Sequence, residues 1–148
     1  MVSRSLWRVF LDTNVLFSGA YAGSGVPRRI LDAAAAGAFE PVASATVIQE
    51  LVRNVAKKAP GAMAYLEDTF RRVRFEMAEE APAEQQQRWL EAGLGSDAPI
   101  VAAALEAEVD YFCTGDARLL QLGRSGTLGG LNVVSPGDLL ALLEGDAG

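Results

Sequence analysis

The chain has 148 residues, of which 13 are basic and 19 acidic, so its formal net charge is −6. It contains no histidine and a single cysteine, Cys113. Imidazole bases, Ser-His-Asp triads, histidine-ligated zinc and intramolecular disulfides are therefore excluded. Half of the residues are hydrophobic, so we expect one globular domain over residues 1–144 and a flexible tail at 145–148.

Charge is divided unevenly along the sequence. Residues 1–74 carry 10 basic and 6 acidic groups, a net charge of +4, and residues 75–148 carry 3 basic and 13 acidic groups, a net charge of −10. Such asymmetry suggests a surface that faces a polyanion, although scattered surface charge on an acidic protein is the simpler interpretation. No signal peptide or membrane span is predicted, and a lone cysteine is typical of a reducing compartment, so we expect a cytoplasmic protein.

Short apolar segments alternate with helical patterns throughout the chain. In chain order, the first half predicts a strand at 7–11, a loop at 19–25, a helix at 27–37, a strand at 39–43, a helix capped by Ser44 or Thr46, a helix at 61–72 and a strand at 73–75. The second half predicts an acidic loop and helix at 76–88, a helix from 96–97, a strand at 111–113, a short helix at 119–122, a loop at 123–130, a strand at 131–134 and a helix from 136. This alternation implies right-handed crossovers, and hence a single-domain, three-layer α/β/α sandwich with a parallel central sheet.

Four acidic residues are predicted to meet at one edge of that sheet. Asp12 and Asp116 follow predicted strands, Asp97 begins a helix that leads into a strand, and Glu50 lies near the start of its helix. Ligands of parallel sheets bind beyond the carboxyl ends of the strands. Carboxylates gathered there repel one another and require a cation. Without histidine, Mg²⁺ or Mn²⁺ on oxygen ligands is the expected ion, and such ions suit phosphoryl chemistry.

Each carboxylate also has a purely structural interpretation. Asp97 and Asp116 occupy positions typical of helix N-caps. Glu50 has the spacing for a surface ion pair with Arg53 on a solvated helix face. Asp12 has no predicted helix directly behind it, so capping does not explain it.

An ordered set of motifs resembles the PIN-domain ribonucleases, in particular the VapC-like toxins and related toxin components of toxin–antitoxin systems. The resemblance covers nearly the whole chain and depends on the following segments: Phe10 to Leu16, Ser44 to Leu51, Ser96 to Leu105, Asp110 to Asp116 with Leu119-Leu120, and Asn132 to Leu140.

The resemblance implies a site and a reaction. Asp12, Glu50, Asp97 and Asp116 would bind one or two Mg²⁺ or Mn²⁺ ions that promote attack of water on an RNA phosphodiester. The protein would then be an endoribonuclease, the toxin of a toxin–antitoxin pair, with a small antitoxin as partner and a homodimeric state. By the same resemblance Asn14 and Thr114 would support the first and last acids.

Eight basic residues are predicted to form an RNA-facing rim, although a solvated outer helix face is an alternative: Arg28, Arg29, Arg53, Lys57, Lys58, Arg71, Arg72 and Arg74. Response-regulator receivers and haloacid-dehalogenase-type phosphatases need a late lysine, and the only lysines are Lys57 and Lys58. The alternative that remains open is a PIN-like module that binds RNA or a protein without cleaving.

Overall fold

The computed structural model describes the backbone of residues 6–147 and the side chains of residues 6–145. Its strands are β1 (Arg8–Leu11), β2 (Glu40–Ser44), β3 (Glu76–Ala78), β4 (Tyr111–Cys113) and β5 (Val133–Val134). Its helices are α1 (Thr13–Tyr21), α2 (Val26–Ala35), α3 (Ala45–Lys58), α4 (Met63–Arg72), α5 (Ala83–Glu91), α6 (Ala98–Glu106), α7 (Ala117–Arg124) and α8 (Pro136–Ala147). Short 3₁₀ turns at Pro60–Ala62 and Gly95–Asp97 precede α4 and α6.

The five strands form one parallel sheet in the order β3-β2-β1-β4-β5. The predicted α/β sandwich with a parallel central sheet is confirmed. The chain winds outward from β1 to β3 and then returns to β4 on the other side of β1. Because parallel crossovers are right-handed, the helices of these two halves cover opposite faces of the sheet. The direction of winding reverses between β1 and β4, which is where open α/β sheets bind ligands.

The central strands are buried on both faces. Val9, Phe10 and Leu11 of β1 are fully buried, as is Phe112 of β4, and the rings of Phe10 and Phe112 stack with centroids 5.5 Å apart. A continuous apolar run of this kind is typical of a parallel strand that helices cover on each side. The sheet is therefore a rigid base for the residues that follow β1 and β4.

The structure differs from the prediction directly after β1. The region predicted to be a loop at 19–25 is helical as far as Tyr21, since α1 begins immediately after Asp12. The expectation that no helix follows Asp12 is therefore wrong. Gly19 lies inside α1, at a position where a Cβ would be only 2.5 Å from the Cδ1 of Leu31 on α2. This glycine permits close helix packing.

Two short strands begin later in the chain than predicted. β3 begins at Glu76 instead of residue 73, because Val73 ends α4 and is buried in the connection. β5 is limited to Val133–Val134 instead of residues 131–134. Both strands are at the edges of the sheet, where one side lacks a neighbouring strand and the apolar pattern is weak. The sequence pattern therefore predicted strands at the apolar residues of the connections that precede β3 and β5.

The last helix continues as far as Ala147, beyond the residue-144 boundary predicted for the domain. The domain limits of 1–144 and the flexible tail at 145–148 stay predictions. Within residues 6–147, no helix has the length and apolar character needed to cross a membrane.

Gly123 on α7 provides a test of helix–sheet packing. An alanine Cβ there would lie 2.6 Å from both Cβ and Cγ2 of Val133 on β5, so we expect Gly123→Ala to lower the free energy of unfolding by about 1–3 kcal/mol. Gly145→Ala on α8 is the matched control, since nothing lies within 4 Å of its Cβ position, and helix propensity predicts a gain of up to about 1 kcal/mol. Urea denaturation measures both. Equal stability of the two variants would contradict the packing described here.

Candidate active site

A hydrogen-bonded group of three side chains joins the ends of β1 and β4. Asp12 is 3 % exposed, and its Oδ2 accepts hydrogen bonds from Thr114 Oγ1 at 2.8 Å and Asn14 Nδ2 at 3.2 Å. Its Oδ1 accepts from the backbone N–H of Thr13 at 2.8 Å, so Asp12 also caps α1. Asn14 Oδ1 accepts from the backbone N–H of Gly115. Asn14 and Thr114 therefore fix the position of the Asp12 carboxylate.

Glu50 reaches the same edge from the neighbouring strand. Ser44, the last residue of β2, caps α3 by accepting a hydrogen bond from the N–H of Val47, which decides between the two predicted caps. Glu50 lies one turn into this helix and is half-buried. Its Oε2 accepts a hydrogen bond from Thr13 Oγ1 at 3.0 Å. The alternative of a solvated helix face is wrong for Glu50.

Asp97 and Asp116 differ in how they meet their helices. Asp97 stands at the N-cap position of α6, yet its side chain makes no capping hydrogen bond. Asp116 does cap α7, and the N–H groups of Arg118 and Leu119 both donate to its Oδ1. The capping interpretation therefore holds for Asp116 and fails for Asp97. Both capping bonds of Asp116 fall on one oxygen.

The four carboxylates are coupled electrostatically. Burial raises the pKa of Asp12 to about 6, and the charges of Asp97 and Glu50 add to this shift, while hydrogen bonds from Thr114 and Thr13 oppose it. Burial, then repulsion from Asp116 and Glu50, likewise raises the pKa of Asp97. The site therefore disfavours full ionisation of its own acids.

The donor set fits a hard divalent cation. Asp12, Glu50 and Asp97 line one cavity of about 290 Å³, and Asp116 lines the adjoining one with Asn14. In the part of the chain with described side chains, no three His, Cys, Asp or Glu residues are grouped closely enough to hold a metal ion alone. In proteins, Mg²⁺ typically binds one or two carboxylates and keeps several water molecules in its coordination shell. Burial of Asp12 beside Glu50 and Asp97 disfavours its charged form, and a bound cation would offset that cost.

Of the eight basic residues predicted to form a rim, the structure places two at the acids. Arg53 and Lys58 line the cavity that contains Asp12. Arg28 instead donates to the carbonyl of Gly19 and lies 3.4 Å from the centre of the Tyr65 ring, so it packs helices together. Three other predicted members of the rim make contacts away from the acids. Arg29 pairs with Glu144, and Arg72 pairs with Asp68. Arg72 and Arg74 line a cavity at the amino ends of β2 and β3.

Sequence reasoning missed Thr13 and the aromatic residue Phe17, which also lines the cavity. Both lie on α1, and the helical spacing that brings them to the cavity is visible only once residues 13–21 are assigned to a helix. Asp110 accepts a hydrogen bond from the N–H of Arg8 at the amino end of β1, far from the acids. Asp110 is therefore a structural contact between the amino ends of β1 and β4.

Comparison with known proteins identifies the family. The sequence matches the family model of the PIN domain over residues 8–118. The chain belongs to the PIN-domain family. PIN domains are generally nucleases, and those nucleases typically use divalent metals. A comparison with curated proteins gave no match.

Two solved structures resemble this PIN domain in fold. One is the crystal structure of VapBC2 from Rickettsia felis bound to a DNA fragment from its promoter, with a TM-score of 0.63 and 17 % identity over 86 % of this chain and 98 % of that chain. The other is PAE2754 from Pyrobaculum aerophilum, with a TM-score of 0.70 and 18 % identity over 94 % of this chain and 90 % of that chain. At these identities the similarity supports the fold.

The raised pKa of Asp12 predicts a pH-dependent stability. Because its folded-state pKa of about 6 lies above the ordinary value of 3.8, protonation stabilises the fold. This stability is present below pH 4 and is lost as the pH rises through 6. In EDTA, we expect the wild type to lose about 3 kcal/mol of unfolding free energy relative to Asp12→Asn between pH 4 and pH 7.5.

Urea denaturation at several pH values measures this difference. Asp12→Asn is the matched reference, since groups that do not interact with Asp12 titrate alike in both proteins. Saturating Mg²⁺ at pH 7.5 should then stabilise the wild type more than the variant. If the unfolding free energies of the wild type and Asp12→Asn change in parallel with pH, Asp12 is not a buried, destabilising charge.

Proposed function

We propose that this PIN domain is a divalent-metal-dependent endoribonuclease that hydrolyses RNA phosphodiester bonds. The observation that supports it best is Asp12, a nearly buried carboxylate that faces Glu50 and Asp97 across one cavity. Within the described side chains no arginine or lysine forms a salt bridge with it. A cation in such a cleft would relieve the repulsion between its carboxylates. A metal ion held there could also bind a phosphate group of the substrate.

Each residue has a distinct role in this proposal. Asp12, Glu50, Asp97 and Asp116 hold Mg²⁺ or Mn²⁺. The bound ion supplies activation of a water and neutralisation of charge on the phosphate. Asn14 and Thr114 keep Asp12 in place, and Thr13 orients Glu50. These three hydrogen-bonding side chains hold Asp12 and Glu50 in position.

Arg53 and Lys58 bind the phosphates that flank the cleaved bond. Both side chains are exposed and line the same cavity as three of the acids. Cationic side chains beside a cleft of carboxylates offset the repulsion that an RNA backbone would meet there. We expect the salt dependence of RNA binding to reflect these two contacts.

Metal-dependent cleavage is the direct test. Pure protein incubated with unstructured RNA should cleave it with Mg²⁺ or Mn²⁺ and stop when EDTA is added. Asp12→Asn and Asp97→Asn should each lower the rate at least about 100-fold, because each removes a charged ligand. Asp32→Asn, an exposed residue of α2, should leave it unchanged. Equal cleavage by the wild type and Asp12→Asn would reject the proposed site.

A non-catalytic module that binds RNA or a protein is the second candidate. It is favoured by the finding that no three acidic residues among the described side chains form a compact metal site. Calorimetric titration with Mg²⁺ and Mn²⁺ separates the two candidates. Absence of both metal binding and cleavage would support the module.

The biological role that we propose is the toxin of a toxin–antitoxin pair, acting in the cytoplasm as a homodimer with a small antitoxin as its partner. The similarity in fold to VapBC2 supports this role. The buried thiol of Cys113, whose pKa burial raises to about 12, is consistent with a reducing compartment.

Expression in a bacterial host tests the toxic role. Induction of the wild type should arrest growth, whereas Asp12→Asn should abolish the arrest and Asp32→Asn should retain it. Immunoblotting checks that the three proteins accumulate equally. Equal arrest by all three would separate toxicity from the acidic site.

A further inference from the structure

One face of α1 carries two aromatic rings that the proposed reaction does not use. Thr13, Phe17 and Tyr21 follow one another at four-residue intervals, so they lie on the same side of the helix. The rings of Phe17 and Tyr21 are stacked, with centroids 5.9 Å apart and planes 9° from parallel. Phe17 lines the cavity of the acids, and Tyr21 is 65 % exposed. The pair extends an aromatic surface outward from the site.

A matching row on α3 runs beside it. Glu50, Asn54 and Lys58 have the same spacing, and all three line the cavity with Phe17. α1 and α3 start at the carboxyl ends of adjacent parallel strands and pack against each other. The hydrogen bond between Thr13 and Glu50 joins their first turns. The two rows therefore border one groove, with acids at its start and Lys58 near its far end.

The groove continues past the aromatic pair. Tyr21 also lines a second cavity, of about 280 Å³, with residues that follow α3, among them Ala59 and Tyr65. One cavity thus borders Phe17, and the other borders Tyr21. A chain that begins at the acids has room to pass over these rings.

We propose that the Phe17–Tyr21 rings form a stacking surface for a nucleobase of the RNA that the groove binds. The inference deepens the proposed ribonuclease function and rests on it. Aromatic side chains stack on any unpaired base, while cationic side chains follow the phosphates. Here α1 supplies the rings and α3 supplies Arg53 and Lys58. Stacking within a duplex hides the faces of the bases, so only an unpaired base can stack on the rings.

Charge favours RNA over a protein as the occupant of this groove. Arg53 and Lys58 make no salt bridge among the described side chains, and they line the same cavity as Phe17. The other large exposed apolar side chains described are scattered: Leu6 at the start, Val52 on the outer side of α3, Met77 on β3 and Leu90 on α5. A two-ring surface with cations beside it complements a base and its phosphates.

Fluorescence anisotropy with three labelled probes tests the groove. The probes are an unstructured RNA of about 12 nucleotides, within the usual range for single-strand sites, the same RNA in a duplex, and an abasic ribose-phosphate chain of equal length. The full-length protein is used in EDTA at low ionic strength, which prevents cleavage. Tyr21→Leu keeps an apolar side chain without a ring, Tyr21→Phe returns the ring, and Leu90→Ala is a control at another exposed apolar residue.

Tyr21→Leu should weaken binding of the single-stranded RNA on the order of 5- to 100-fold, the loss of one stacked base. Binding of the abasic chain should not change, Tyr21→Phe should recover the affinity lost in Tyr21→Leu, and Leu90→Ala should have no effect. The wild type should bind the single strand more tightly than the duplex.

Four results would overturn the proposal or separate it from the proposed function. Equal effects of Tyr21→Leu on the base-bearing and abasic chains, or no effect on either, would overturn stacking even if RNA cleavage persists. If Tyr21→Leu instead changes the molar mass of the protein in light scattering, the rings form a contact between copies of the chain. Ring-dependent binding without cleavage would support the groove and reject the enzyme. Absence of both binding and cleavage would remove both proposals.

Discussion

The hydrogen bonds that Asp12 accepts across the boundary between β1 and β4 determine the geometry of the rest of the site. Thr114 and Asn14 hold one carboxylate oxygen, and Asn14 also accepts a hydrogen bond from the N–H of Gly115. The start of α1 and the connection from β4 to Asp116 are thereby joined at the point where the sheet reverses its winding. Together with the pairing of β1 and β4, this contact sets the relative position of Asp12 and Asp116, which are more than 100 residues apart in sequence.

The same contact leaves the site electrostatically incomplete. Three hydrogen bonds favour the ionised form of Asp12, yet burial dominates and its pKa rises to about 6. Glu50 and Asp97 increase the shift by repulsion. Natural proteins retain such locally unfavourable arrangements chiefly at functional sites. An added cation would relieve burial and repulsion together, so the destabilised carboxylate is an argument for a ligand and not a defect in packing.

Local patterns predicted the elements whose residues are buried on all sides, and they failed where tertiary contacts decide. β1 and β4 were predicted because continuous apolar runs define central strands. α1 was partly missed because Gly19 is typical of a loop; its contact with Leu31, on a different helix, explains the glycine and is invisible locally. The edge of the sheet at which the acids meet followed from topology. The hydrogen bond from Thr13 to Glu50 did not, because it depends on how two helices pack.

The net charge of −6 is therefore a poor guide to what the groove binds. Screening limits exposed charges to interactions within about 10 Å, so a ligand responds to the local order of groups along α1 and α3. That order runs from the acids to the cations Arg53 and Lys58, with the Phe17–Tyr21 rings opposite. One or two divalent ions on the acids would neutralise part or all of the negative charge at the one place where RNA would be repelled. The cations and rings are present in the chain itself. If the proposed function is correct, recognition of RNA and its cleavage would depend on separate parts of the groove, and loss of the metal would abolish cleavage while base-dependent binding persists.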